Sequence, residues 1–173
     1  QVKAERTPAE FLAAAKQGVR DCWAAGITTV ADTGDTGAVI QALAELGGRG
    51  VCYHEVFGPH PGQVEESMAG LRRRVDELGR FTSERVRLGV SPHAPYTVSG
   101  PLYRAVADWA RREGLPLAVH LAESPEEMAL VERGAGPFAE MWLRREIPVP
   151  AGQGSTPVTL LDELGVLGPA TLC

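Results

Sequence analysis

The 173 residues carry 17 Lys and Arg against 22 Asp and Glu, a net charge of -5. That balance gives no footing for nucleic acid or an anionic membrane surface, and the one basic run, Arg72-Arg73-Arg74, reads as a solvated helix face. Cys22, Cys52 and Cys173 form neither a disulfide framework nor a C-x-x-C pair, so a reducing, cytoplasmic setting is expected, and no apolar run is long enough to span a bilayer.

Thr7-Pro8-Ala9-Glu10 is a capping box with proline at the first helical position, and the apolar residues from Phe11 to Ala25 recur at helical spacing until Gly26. The β-branched run Ile27–Ala31 predicts a strand, Asp32–Gly37 a turn-rich loop, and Val39–Leu46 a helix closed by Gly47-Gly48. Gly50–Phe57 is the next strand. Gln63–Leu78 follows as an amphipathic helix with Val64, Met68, Leu71, Val75 and Leu78 inward. Arg85–Val90 is a strand that opens into Ser91-Pro-His-Ala-Pro-Tyr-Thr97, and Ser99 caps a helix to about Glu113 with Leu102, Val106 and Trp109 on its core side.

Pro116–His120 then reads as a short buried strand ending on a histidine, with Glu123 three residues on and a further S-x-x-E capping box, Ser124 to Glu127, opening a helix. Gly134–Ser155 is weaker, and Pro148–Ser155 is a loop. Thr156-Pro157 opens a helix to about Leu167. The chain begins at Gln1 and stops within Ala170-Thr-Leu-Cys173, the start of a buried strand, so residues 1–173 are expected to be the central part of a longer domain.

Strands alternating with helices, five strand starts in all, predict a parallel α/β sheet with right-handed crossovers. Two architectures fit: an open doubly wound sheet, or part of a (β/α)8 barrel, which when complete needs about 250 residues. No G-x-G-x-x-G or G-x-x-x-x-G-K-[ST] is present, so a dinucleotide or P-loop reading has no support. All four histidines, His54, His60, His93 and His120, lie in strands or just after them. His93 and His120 follow successive strands, so one pocket can hold both, and the prolines of Pro92-His-Ala-Pro95 fix the backbone around His93. A neutral imidazole can ligate a divalent metal while an unligated carboxylate takes a proton from metal-activated water. The other reading is a ligand-binding α/β domain in which both histidines are ordinary polar loop residues.

Gly89-Val-Ser-Pro-His-Ala-Pro-Tyr-Thr97 followed by Leu117-Ala-Val-His-Leu-Ala-Glu123 resembles the middle of the metal-dependent amidohydrolase superfamily, in its deaminase and chlorohydrolase branch. Gly26–Asp32 is similar to that family's second barrel strand, Tyr53–Gly58 to its third, and Thr156–Leu167 to the helix before its sixth. The resemblance implies a partial (β/α)8 barrel from about strand two to the start of strand six. It implies hydrolytic deamination of an amino-substituted heterocycle, with hydrolysis of another C–N or C–halogen bond on a ring as the alternative. It further implies a divalent metal, zinc with iron as the alternative, a small-molecule substrate and room for a homo-oligomer. Carried over by position, His120 is the metal ligand, Glu123 the carboxylate that shuttles the proton, and His93 a substrate contact. Glu55 is the other substrate contact from strand three; strand alternation lets only one of His54 and Glu55 point inward, and the period does not say which. Asp32 is placed to support the site from strand two. The remaining ligands of the family pattern, an H-x-H on strand one, a strand-six histidine and a strand-eight aspartate, have no counterpart in these residues.

Overall fold

A computed structural model describes residues 6–149 and 154–173. Five strands form one sheet in sequence order, every neighbouring pair parallel: β1 (Val30–Gly34), β2 (Gly50–Val56), β3 (Val86–Pro92), β4 (Leu117–Ala118) and β5 (Thr171–Leu172). Unbroken sequential order, with no reversal of direction along the sheet, is the winding of a barrel. An open doubly wound sheet instead has a switch point in its strand order. The fold is therefore a half-barrel.

Among the described residues, seven α-helices accompany the sheet: α1 (Pro8–Ala24), α2 (Ala38–Leu46), α3 (Val64–Gly79), α4 (Gly100–Glu113), α5 (Pro125–Arg133), α6 (Pro137–Arg144) and α7 (Pro157–Glu163). Their starts follow local chemistry. Thr7 and Glu10 form the reciprocal capping box expected of them, and α1, α4, α5, α6 and α7 all carry proline in the first turn. Ser99 takes the N-cap position of α4, but its hydroxyl makes no capping bond. None of these helices is long and apolar enough to cross a membrane.

Two apolar clusters fix the sheet to its helices. Ile40, Leu43, Cys52, Leu78, Val86 and Leu88 close one, and Val56, Met68, Leu71, Val90, Leu102, Val106, Leu117 and Val119 the other. Burying each aliphatic side chain contributes about 1.5–3 kcal/mol, so these clusters dictate which face of every strand turns to the helices. That choice decides which side chains are left for the barrel interior.

The structure differs from the sequence expectations at three places. The strand expected at Ile27–Ala31 forms at Val30–Gly34, because Gly26 takes a left-handed turn and only from Val30 onward does the chain meet its partner, Gly50. α6 forms inside the stretch that looked weak, anchored by Trp142 and Ala139 against Leu130. α7 ends at Glu163 rather than near Leu167, since Gly165 is left-handed. Residues 150–153 of the loop expected over Pro148–Ser155 lie outside the described residues.

Candidate active site at the C-terminal edge of the sheet

Register settles the orientation of β2. Cys52 and His54 sit beside Leu88 and Val90, which face the helices, so Tyr53 and Glu55 face the barrel interior. His54 is buried on the helix side with its Nδ1 unpaired, and burial lowers its pKa. Glu55 is therefore the inward residue of the pair. The same rule applied to β4 turns Leu117 and Val119 outward and leaves Ala118 and His120 on the interior side. His93 directly follows β3, and its backbone carbonyl accepts from the His120 amide at 2.8 Å, so the two histidines are tied main chain to main chain.

Glu55, His93 and His120 converge. Glu55 Oε1 lies 3.3 Å from His120 Nε2 and 3.9 Å from His93 Nε2, and the two imidazole centroids are 4.8 Å apart. One ligand atom from each of the three falls within 4.8 Å of the others, a spacing that fits a divalent cation. The tautomer of His93 follows from its neighbour. Thr97 donates its one hydroxyl proton to the Ala94 carbonyl at 3.1 Å, so its oxygen accepts from His93 Nδ1–H at 2.8 Å. Nε2 of His93 is thereby left with a lone pair facing the pocket. Burial, the larger influence, lowers the His93 pKa against the opposing pull of Glu55, which favours this neutral form.

Glu123 sits at the rim, its Oε1 3.9 Å from His120 Nδ1. Tyr96 donates to the other oxygen, Oε2, at 2.6 Å. Tyr96 is itself fixed: its ring stacks on Phe138 at 4.3 Å and 9°, and its carbonyl accepts from the Trp142 indole at 2.9 Å. Burial and this bond to Glu123 push the Tyr96 phenol up to about 12, so it remains a donor across the neutral range.

The expected capping box at Ser124 is only half formed. Ser124 Oγ accepts from the Glu127 amide at 3.2 Å, but the Glu127 carboxylate bypasses the Ser124 amide and accepts from Ala122 and Glu123 at 2.9 and 2.8 Å. Ala122 has a φ of +57°, a left-handed conformation that costs a residue with a Cβ roughly 1–2 kcal/mol.

Asp32 is not brought into this cluster. Paired with Cys52, it lines a small cavity on the helix side with Ile40 and His54, and burial, reinforced by Glu55, raises its carboxyl to about 6. Four participants escaped the sequence reading: Tyr96, Thr97, Phe138 and Trp142. The first two stand three and four residues after His93, inside the motif already singled out. The other two belong to α6, in the stretch that looked weak, although Phe138, Met141 and Trp142 recur there at the three- and four-residue steps of a helix face.

A parallel half-barrel with histidines and carboxylates gathered at its C-terminal strand ends has them where barrel enzymes carry their active sites. The sequence profile of the Amidohydrolase family matches residues 4–142, and the chain belongs to that family. It is 40% identical over 129 residues to the aminodeoxyfutalosine deaminase of Deinococcus radiodurans, covering 68% of this chain and 30% of that protein. It is 32% identical over 137 residues to the 5'-deoxyadenosine deaminase of Methanothermobacter thermautotrophicus, covering 78% and 27%. Among solved structures, Helicobacter pylori aminofutalosine deaminase superposes with a TM-score of 0.70 at 22% identity, over 77% of this chain and 33% of that one. The atrazine chlorohydrolase of Arthrobacter aurescens, complexed with zinc, gives 0.69 at 18% identity, over 98% and 38%. The chain spans about a third of the length of the relatives it matches.

Proposed function

We propose that residues 1–173 are the central part of one (β/α)8 hydrolase domain, and that the complete barrel deaminates an adenosine-like nucleoside by hydrolysis. The observation that carries this reading is the convergence of Glu55, His93 and His120 on one point, with Glu123 beside them at the strand ends. The 40% identity to an aminodeoxyfutalosine deaminase supports the nucleoside substrate, while the resemblance to chlorohydrolases rests on fold alone.

In this reading His120 would hold the divalent metal, zinc by preference, together with ligands from the rest of the barrel. Such a metal would supply a water whose pKa is lowered toward neutrality. Glu123 takes the proton from the attacking water as the C–O bond forms at the amino-bearing ring carbon. It then gives that proton to the departing nitrogen as the C–N bond breaks, so ammonia leaves and the ring keeps the oxygen. His93, with Nδ1–H committed to Thr97, offers its Nε2 lone pair to a donor on the substrate. Glu55 offers a carboxylate to substrate hydroxyls from β2, the strand paired with the one that His93 follows. A reducing cytoplasm suits the three free cysteines.

The test is ammonia release by the complete barrel from aminodeoxyfutalosine, 5'-deoxyadenosine and 5-methylthioadenosine. Stoichiometric ammonia from at least one is the expected result. Chloride from a chlorotriazine with no ammonia from any nucleoside would move the reading to carbon–halogen hydrolysis, and neither product would favour a non-catalytic domain.

A further inference from the structure

We infer that Glu127 is a positioning residue for Glu123, an inference that rests on the proton-transfer role given to Glu123 above. Glu127 is fully buried at 0% exposure, in the first turn of α5. A charged side chain is costly in such a place unless its hydrogen-bonding capacity is used. Here each oxygen has one task. Oε1 accepts from the Ala122 amide at 2.9 Å and Oε2 from the Glu123 amide at 2.8 Å. Those two amides belong to the left-handed residue of the turn and to the proton-shuttling residue itself.

An ordinary capping glutamate would turn back to the N-cap amide and stabilise the helix start. Glu127 reaches past it and secures the turn that delivers Glu123, while Ser124 alone caps α5. With its peptide fixed by Glu127 and Oε2 fixed by Tyr96, Glu123 keeps Oε1 on the His120 side. Misplacing a reacting group by about 1 Å can cost on the order of a hundredfold in rate. The two carboxylates therefore divide the work: Glu123 handles the proton and Glu127 holds the turn.

Glu127→Gln in the complete barrel preserves volume and one acceptor oxygen but turns an NH2 toward the second amide. The expected result is a fall in kcat of about tenfold to a hundredfold, with KM and bound metal within about twofold of wild type. Ala122→Gly added to that variant should recover part of kcat, because glycine takes a positive φ without being held there. Glu127→Asp, one methylene shorter, keeps the buried charge but not the reach, and should lower kcat in the same direction.

Wild-type kcat in either folded variant overturns the inference. So does a loss that appears wholly in KM, or one that follows loss of folded protein and is not recovered by Ala122→Gly. Glu123→Gln run alongside separates the two levels. Turnover by Glu123→Gln at the wild-type rate removes the proton-transfer reading itself. An inactive Glu123→Gln beside a fully active Glu127→Gln removes only the role of Glu127.

Discussion

Glu123→Gln in the complete barrel is expected to lower kcat by about 10³ to 10⁴, the upper range for loss of a group that acts as both base and acid, and to leave the metal bound. The glutamine amide cannot accept the water's proton, yet it occupies the same space and can still accept from Tyr96, so the pocket keeps its shape. Glu123 is exposed at the rim, and no apolar packing is lost in the exchange. Metal content and melting temperature measured beside kcat distinguish this outcome from simple unfolding. A folded, metal-loaded variant retaining more than about a tenth of wild-type kcat would exclude Glu123 from proton transfer.

The second large effect concerns stability. Gly89→Ala is expected to destabilise the fold by about 3 kcal/mol, the upper end for overpacking a tight interior. Gly89 lies in β3 with the Tyr53 ring over it and the chain entering β4 behind it. A Cβ built there would stand 2.6 Å from both Tyr53 Cδ1 and the Pro116 carbonyl oxygen. That carbonyl is not free to move, because it accepts from the Val90 amide at 3.0 Å and so links β3 to the entry of β4. Relief would require shifting either the buried Tyr53 or the segment that carries His120. Equilibrium urea unfolding of the two proteins measures the difference, and a change below about 1 kcal/mol would mean that the strand spacing relaxes at little cost.

Much of this arrangement is legible in the residues. Helix starts are written in Thr7, Ser124 and Thr156 with the prolines that follow them, and all three hydroxyls cap their helices. Placing His93 and His120 in one pocket needs only the rule that successive strands of a wound sheet are neighbours, which β3 and β4 obey. Strand alternation says that His54 and Glu55 part company but not which goes inward. That phase is fixed by register with Leu88 and Val90 and their packing on helices distant in sequence. The position of β1 likewise depends on where Val30 meets Gly50 rather than on β-branching in Ile27–Val30, and it carries Asp32 to the helix side. Glu127 shows the limit most clearly. Its sequence context is that of a capping box, and only the left-handed Ala122 turns its carboxylate to a different pair of amides.

The most direct test of the hydrolase account is metal content, by elemental analysis of the complete barrel and its His120→Ala variant purified without chelators. About one zinc or iron per chain is expected in the parent and is expected to be lost in the variant, since removing one of about three protein ligands from a catalytic site should release the ion. A parent that holds no metal, or a His120→Ala variant that holds as much as the parent, would contradict it.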